Sequence, residues 1–129
     1  RRLIRFPVEN DGFVYLSEKG FLKRTFHNGR MYSETWRIGI GPLEMVTVPG
    51  EILPALGFEI KGEIMQGRHK MILGLANDEI GYIMNAADWQ DPLYEYERSV
   101  SLGSQTGGIL IENIKKLYPE VRSAGSAGN

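Results

Sequence analysis

Apolar residues in the first half of the chain fall into short alternating runs. The second half mixes such runs with stripes of helical spacing. Phe13-Val14-Tyr15-Leu16 reads as a short strand between two turn signals, Asp11-Gly12 and Lys19-Gly20. Residues 21–26 and 31–40 flank His27-Asn28-Gly29-Arg30. An Asn-Gly step between two such runs predicts a hairpin, because both central residues of a type I′ turn need positive φ. On the second arm Trp36, Ile38 and Ile40 alternate with Thr35, Arg37 and Gly39, so the even-numbered face is expected to be buried. Residues 43–48 form a further strand, entered through Gly41-Pro42 and closed by Pro49-Gly50.

Beyond that step Ile52, Leu56, Ile60 and Ile64 recur every fourth position, with Leu53 beside them, which predicts a helix. Pro54 is tolerated in its first turn, whereas Gly57 and Gly62 each weaken it by about 1 kcal/mol against Ala. Met71-Ile72-Leu73-Gly74-Leu75-Ala76 is a continuous apolar run, the pattern of a strand covered on both faces. Strand, helix and buried strand in that order suggest a crossover on a mixed sheet. Residues 106–118 make the clearest helix. Ile109-Leu110, Asn113-Ile114 and Leu117 share a face, Lys115 and Lys116 suit its C-terminal end, and Pro119 stops it.

The fold class expected is therefore α/β, a mixed β-sheet with an N-terminal antiparallel hairpin region and two main helices. Residues 1–122 form a single domain or domain fragment, and residues 123–129, small and polar, form a flexible tail. The length of 129 residues fits one domain, and 42% hydrophobic with 24% charged residues is a globular composition. A net charge of −1 argues against a nucleic-acid module held by a basic surface. No apolar run approaches the ~20 residues of a membrane-spanning helix. Cys is absent, which removes disulfides, thiolate nucleophiles and Cys-ligated metal sites and leaves the compartment open. The start, Arg1-Arg2-Leu3-Ile4, lacks both Met and a signal-peptide pattern, and reads as a processed chain or a segment cut from something longer.

Candidate chemistry is sparse. His27 sits in the hairpin turn and His69 in a polar link before a strand. Neither has the spacing of a metal-ligand pair, and both read as exposed loop residues. No nucleophile elbow is present. Gly103-Ser104-Gln105-Thr106-Gly107-Gly108 precedes a helix and has the form of an anion site, but it lacks the Lys of a phosphate loop. A capped, closely packed helix start is the simpler account. Asp78/Glu79 and Glu95/Glu97 are carboxylate pairs of the kind usually solvated. Glu51 opens a helix after a buried strand, where its charge suits the dipole but where α/β proteins also place ligands. Tyr82 follows the apolar strand and has the same ambiguity.

A resemblance adds to this. Trp36-Arg37-Ile38-Gly39, Leu43, Val48-Pro49-Gly50-Glu51, Ile72-Leu73-Gly74-Leu75-Ala76-Asn77, Gly81-Tyr82-Ile83 and Tyr94-Glu95 stand in the order and spacing of the end of the catalytic domain of neutral/alkaline (non-lysosomal) ceramidases. The similarity covers roughly residues 36–118. It implies a site with one zinc ion held by two His, a Glu and a Tyr, acting on an amide bond. It assigns metal-ligand roles to Glu51 and Tyr82 and a substrate-binding role to Tyr94. The zinc-binding His pair and the catalytic Ser of that family belong upstream of the similar region, so the resemblance places no catalytic residue in this chain. A Glu and a Tyr alone hold zinc poorly, because the phenol must lose a proton from a pKa near 10.

The resulting expectation is the C-terminal part of a zinc-dependent ceramidase-like amide hydrolase, an incomplete part of a larger α/β hydrolase-like sandwich. Zn2+ is bound only in the complete site, and the missing half comes from an upstream part of the same enzyme or from a homo-oligomer partner. The substrate is a small amide or a lipid-like one. The alternative is a non-catalytic binding or oligomerisation module that keeps the fold without the chemistry. A stand-alone enzyme using a carboxylate pair is the third reading.

Overall fold

The computed structural model of the chain describes residues 1–119. The expected tail at 123–129, and the last three residues of the expected domain, lie outside that range. The described residues form an α/β structure of short sheets and helices. β1 (Arg2–Pro7) pairs antiparallel with β2 (Arg30–Thr35), from Arg2 opposite Thr35 to Pro7 opposite Arg30. β3 (Arg37–Ile40) and β4 (Leu43–Thr47) form a hairpin, and β6 (His69–Leu73) lies parallel to β4. Trp36 joins the two ladders: its carbonyl accepts from Thr47 N–H at 3.0 Å, and its N–H donates to the Thr47 hydroxyl at 2.9 Å.

The turn at residues 27–30 closes as its sequence predicts. Asn28 and Gly29 have φ of 51° and 66°, and His27 and Arg30 exchange backbone hydrogen bonds of 3.0 and 3.1 Å. The partner of β2 is different from the one expected. Residues 21–26 form no strand, and β1 takes the place beside β2. Residues 13–16 are also not a strand; they lie in α1 (Asp11–Glu18). Asn10 decides this, because its side-chain oxygen caps Gly12 N–H at 2.9 Å while its amide donates to the carbonyls of Ser99 and Ser101. A helix start anchored at both ends of one side chain outweighs the strand preference of Phe13-Val14-Tyr15.

The crossover between parallel strands is present. β4 leads through β5 (Glu51–Ile52) into α2 (Pro54–Glu59), which continues as a π-helical turn at Ile60–Ile64 and returns as β6. Pro54 occupies the first turn, and Leu56, Ile60 and Ile64 of the four-residue stripe are buried. Ile52, the first member of the stripe, belongs to β5. β6 was expected to be covered on both faces. It is an edge strand ending at Leu73, with Met71 and Leu75 exposed.

The remaining elements are β7 (Tyr82–Ile83), α3 (Ala86–Gln90), a 3₁₀ turn at Pro92–Tyr94, α4 (Glu95–Ser99) and α5 (Thr106–Lys115). α5 packs on β1 and on the π-helical turn, and no described helix is long and apolar enough to cross a membrane. The core collects Ile4 and Phe6 from β1, Val46 from β4, Leu56, Ile60 and Ile64 from the crossover, and Leu110 and Ile114 from α5. Sheet parity follows from this layer. Met31, Ser33 and Thr35 point inward, so Trp36, Ile38 and Ile40 point outward, the reverse of the face expected from their hydrophobicity.

One buried carboxylate, Glu44, and one half-buried, Asp78, hold the layers together. Glu44 accepts from the Tyr118 hydroxyl at 2.7 Å, from Arg37 at 3.1 Å and from Gln66 N–H at 3.1 Å, and the Arg37 guanidinium stacks over the Tyr118 ring at 4.1 Å. Burial pushes the Glu44 carboxyl up, but these donors outweigh it and hold the group below its ordinary value. Asp78 accepts a fork from Arg24, a hydrogen bond of 2.7 Å from Ser33 and one of 2.9 Å from Glu79 N–H. Burial again opposes and the donors again win, so its pKa is lowered. Both carboxylates therefore stabilise the fold above their unfolded-state values, 4.5 and 3.8, and that stabilisation is lost as pH falls through the lower folded-state values. In urea titrations the unfolding free energy is expected to fall on acidification below pH ~5. Glu44→Gln should lower stability at neutral pH and flatten that acid slope.

Candidate functional site

The site begins where β4 leaves the sheet. Val46, Thr47, Val48, Pro49 and Gly50 are all buried, and Glu51 is the first exposed residue after them. β5 lies parallel to β7 with Glu51 opposite Tyr82 and Ile52 opposite Ile83. Glu51 N–H donates to Gly81 carbonyl at 3.1 Å, Leu53 N–H to Ile83 carbonyl at 3.0 Å, and Ile80 N–H to Pro49 carbonyl at 2.9 Å. Side chains at register partners share a face of the sheet. Ile83 therefore enters the core beside Ile52, while Glu51 and Tyr82 stand together on the opposite side.

Glycine permits this approach. A Cβ on Gly50 would collide with the Gly81 carbonyl, and one on Gly81 with the Val100 carbonyl. Gly81 also has φ of 88°, a region that L side chains rarely adopt. On its far side β7 is held by Tyr82 N–H donating to Val100 carbonyl at 2.9 Å. The link from β6 to β7 is fixed by its own polar groups. Asn77 donates to the Thr47 hydroxyl at 3.1 Å, Asp78 is clamped by Arg24 and Ser33, and Glu79 accepts from Gly81 N–H at 2.9 Å. The carboxylate pair Asp78/Glu79 thus serves as a brace that delivers Tyr82 to Glu51.

Tyr82 stands beside Glu51 in the register, and its ring meets that of Tyr96 edge-on, with centroids 6.1 Å apart at 69°. Burial first, then the charge of Glu51, with Tyr96 and Glu97 adding to it, raises the phenol pKa above its ordinary 10. Tyr94 ends the 3₁₀ turn that precedes Tyr96 and Glu97, a turn capped by Asp91 accepting from Leu93 N–H at 2.9 Å. The segment carries two Tyr-Glu pairs, and it is the second, Tyr96-Glu97, that adjoins Tyr82. Glu51 also borders a groove of about 510 Å³ walled by Ile52, Pro54, Phe58, Ile72 and Leu75, with Lys61 at its rim.

A carboxylate and a phenol side by side offer two oxygen donors to a cation, with loss of the phenol proton on binding. No group of three or more His, Cys, Asp and Glu able to hold a metal occurs among the described residues. His27 is exposed in the tight turn, and His69 is exposed at the start of β6, the end of that strand remote from its Gly74-Leu75 exit. The glycine-rich entry to α5 is filled by the chain itself. Glu9 accepts from Ser104 N–H and hydroxyl, each at 3.3 Å, and from the Gln105 amide at 2.9 Å. Gly107 lets that helix sit directly on the Met84 carbonyl.

Comparisons with protein-family models, with curated proteins and with solved structures return no match to this chain.

The close approach makes a direct prediction. Gly50→Ala is expected to force β5 away from β7 and to cost about 2 kcal/mol or more. Gly62→Ala, at a position with open space around it, should leave stability unchanged or raise it by about 1 kcal/mol. Thermal denaturation of the two variants checks both; equal melting temperatures would show that the glycine at 50 is not required.

Proposed function

We propose that this chain is the C-terminal part of a zinc-dependent, ceramidase-like amide hydrolase, in which it supplies part of the metal and substrate site without being self-sufficient for catalysis. The observation that carries this reading is the register pairing of Glu51 with Tyr82, which puts one carboxylate and one phenol on the same side of the sheet. These are the two residues that the ceramidase resemblance names as metal ligands. The donor chemistry fits half of a zinc site, and no His, Cys, Asp and Glu group of three or more able to hold a metal occurs among the described residues. The other half comes from an upstream part of the same enzyme or from another subunit, as part of a larger hydrolase-like sandwich.

Within this chain Glu51 stands beside the phenol, Tyr96 packs edge-on against the Tyr82 ring, and Tyr94 contacts substrate from the neighbouring turn. When bound, zinc polarises the amide carbonyl and activates water. The apolar groove beside Glu51 suits a small amide with an apolar arm.

The alternative is a non-catalytic module that keeps the fold. The observation in its favour is the edge-on packing of the Tyr82 ring on Tyr96, which gives that side chain a structural place in the fold.

The test uses the complete reading frame that encodes this segment, assayed for fatty-acid release from a long-chain N-acyl amide and for zinc by elemental analysis. The hydrolase reading expects activity with stoichiometric zinc, and a loss of about 100-fold or more in Glu51→Gln and Tyr82→Phe. The 129-residue chain alone should bind zinc weakly and turn over nothing. Full activity in both variants, or tight stoichiometric zinc in the short chain, contradicts it.

A further inference from the structure

The groove beside Glu51 has two unlike ends. One wall is a single face of the crossover helix, where Pro54, Gly57, Phe58 and Lys61 stand at i, i+3, i+4 and i+7. The other wall is the exit of β6, made by Ile72, Gly74 and Leu75. Leu75 N–H donates to the Gly50 carbonyl at 3.1 Å, which sets that end of the wall beside Glu51. The Lys70 ammonium donates to the Lys61 carbonyl at 2.7 Å, which sets the opposite end. The helical rise from Pro54 to Lys61 makes the groove roughly 10 Å long.

Glycine keeps the floor open. A Cβ on Gly57 would stand 3.4 Å from Ile52 Cδ1 and 4.0 Å from Ile72 Cδ1, so a longer side chain there would run into the groove. That accounts for a glycine in a helix which it weakens. At the Glu51 end Leu75 is 53% exposed with φ of 52°, a left-handed conformation that costs a leucine energy and that concentrates where ligands are gripped. Among the described residues that line the groove, Glu51 carries the one carboxylate and Lys61 the one ammonium. Neither Lys61 nor its neighbour Lys70 makes an ion pair among the described residues, so the end remote from Glu51 is positive and unspent.

We infer that the groove takes a linear amide whose apolar arm ends in a carboxylate: the amide N–H meets Glu51, the saturated chain lies between Phe58 and Leu75, and the carboxylate meets Lys61. The charges decide the direction, because a carboxylate at the Glu51 end would face a like charge. They also decide the terminus, because an arm ending in a methyl group would cover the lysine end without answering its charge. The inference rests on the amide-hydrolase reading for the end that Glu51 meets, and goes beyond it in giving the arm an anionic terminus read by Lys61.

Suberamic acid, an amide and a carboxylate joined by a saturated chain, and suberamide, the same chain with two neutral amides, are titrated into the isotope-labelled 129-residue chain and followed by amide chemical shifts. Neither zinc nor turnover enters the readout. Suberamic acid is expected to saturate with a dissociation constant on the order of 1 mM, the range for a ligand of this size, with shifts centred on residues 52–61 and 72–75. Suberamide on the wild type, and suberamic acid on Lys61→Glu, should each bind about fivefold more weakly or worse. Gly57→Leu should abolish the shifts while its melting temperature stays at or above that of the wild type. The absence of saturable shifts in the groove, equal affinity for the two probes, or binding unchanged in Lys61→Glu or in Gly57→Leu overturns the inference. A complete enzyme without zinc or turnover contradicts the hydrolase reading and leaves this binding in place, so the two failures are told apart.

Discussion

Two backbones that pass too close for a Cβ determine where the chemistry of this protein sits. Gly50 lies against the Gly81 carbonyl, and Gly81 against the Val100 carbonyl, so three segments from distant parts of the sequence are compressed into one narrow ladder. The next residue on two of these segments is a functional candidate, Glu51 after Gly50 and Tyr82 after Gly81. Pairing in register then leaves no choice about the side chains: the aliphatic partners Ile52 and Ile83 go to the core, and the acid and the phenol go to the other side. The site is a consequence of strand pairing, and it exists before any ligand does.

Around this ladder the fold relies on ion clusters that are satisfied on every side. Burial alone would push both Glu44 and Asp78 towards the neutral form. Each instead collects an arginine, a side-chain hydroxyl and a backbone N–H, and stays ionised below its ordinary pKa. Glu44 ties β4 to Arg37 of β3, to the link that follows the π-helical turn, and to Tyr118 after α5. Asp78 ties the approach to Tyr82 to Arg24 and to β2. Such clusters contribute less net stability than their contacts suggest, because desolvation offsets the attraction, but loss of one partner is costly. Their effect here is positional, since each restrains a segment that flanks the Gly50–Gly81 contact.

Local signals in the sequence were legible where one residue type answers one backbone need. Asn28-Gly29 specifies its turn, Pro54 marks a helix start, and Leu56, Ile60 and Ile64 mark a buried stripe. Of residues 106–118, where the spacing predicts a helix, Thr106–Lys115 form one, and it ends three residues short of the expected stop. Choices made by long-range competition were hidden. Nothing near Met31 says that β1, rather than residues 21–26, will pair with β2. Phe13-Val14-Tyr15 reads as strand until Asn10 is known to bridge Ser99 and Ser101. The alternation of Trp36, Ile38 and Ile40 was visible, but its direction was not: the helices cover the face bearing Arg37, whose charge is absorbed by Glu44. For the site, Glu51 and Tyr82 were legible as candidates, whereas Tyr96 was not, because its part depends on α4 turning it edge-on to Tyr82. The glycine that precedes each candidate was the available signal for their convergence.

The claim on which the rest depends is that Glu51 and Tyr82 are lateral neighbours. Nuclear Overhauser spectroscopy on the 129-residue chain tests it directly, because neighbouring strands lie ~4.8 Å apart. The account predicts cross-peaks from the Tyr82 ring protons to the Glu51 side chain and to the Tyr96 ring, together with a Glu51 amide protected from exchange by the Gly81 carbonyl. A Tyr82 ring that shows contacts to α4 but none to Glu51, with a freely exchanging Glu51 amide, would contradict it.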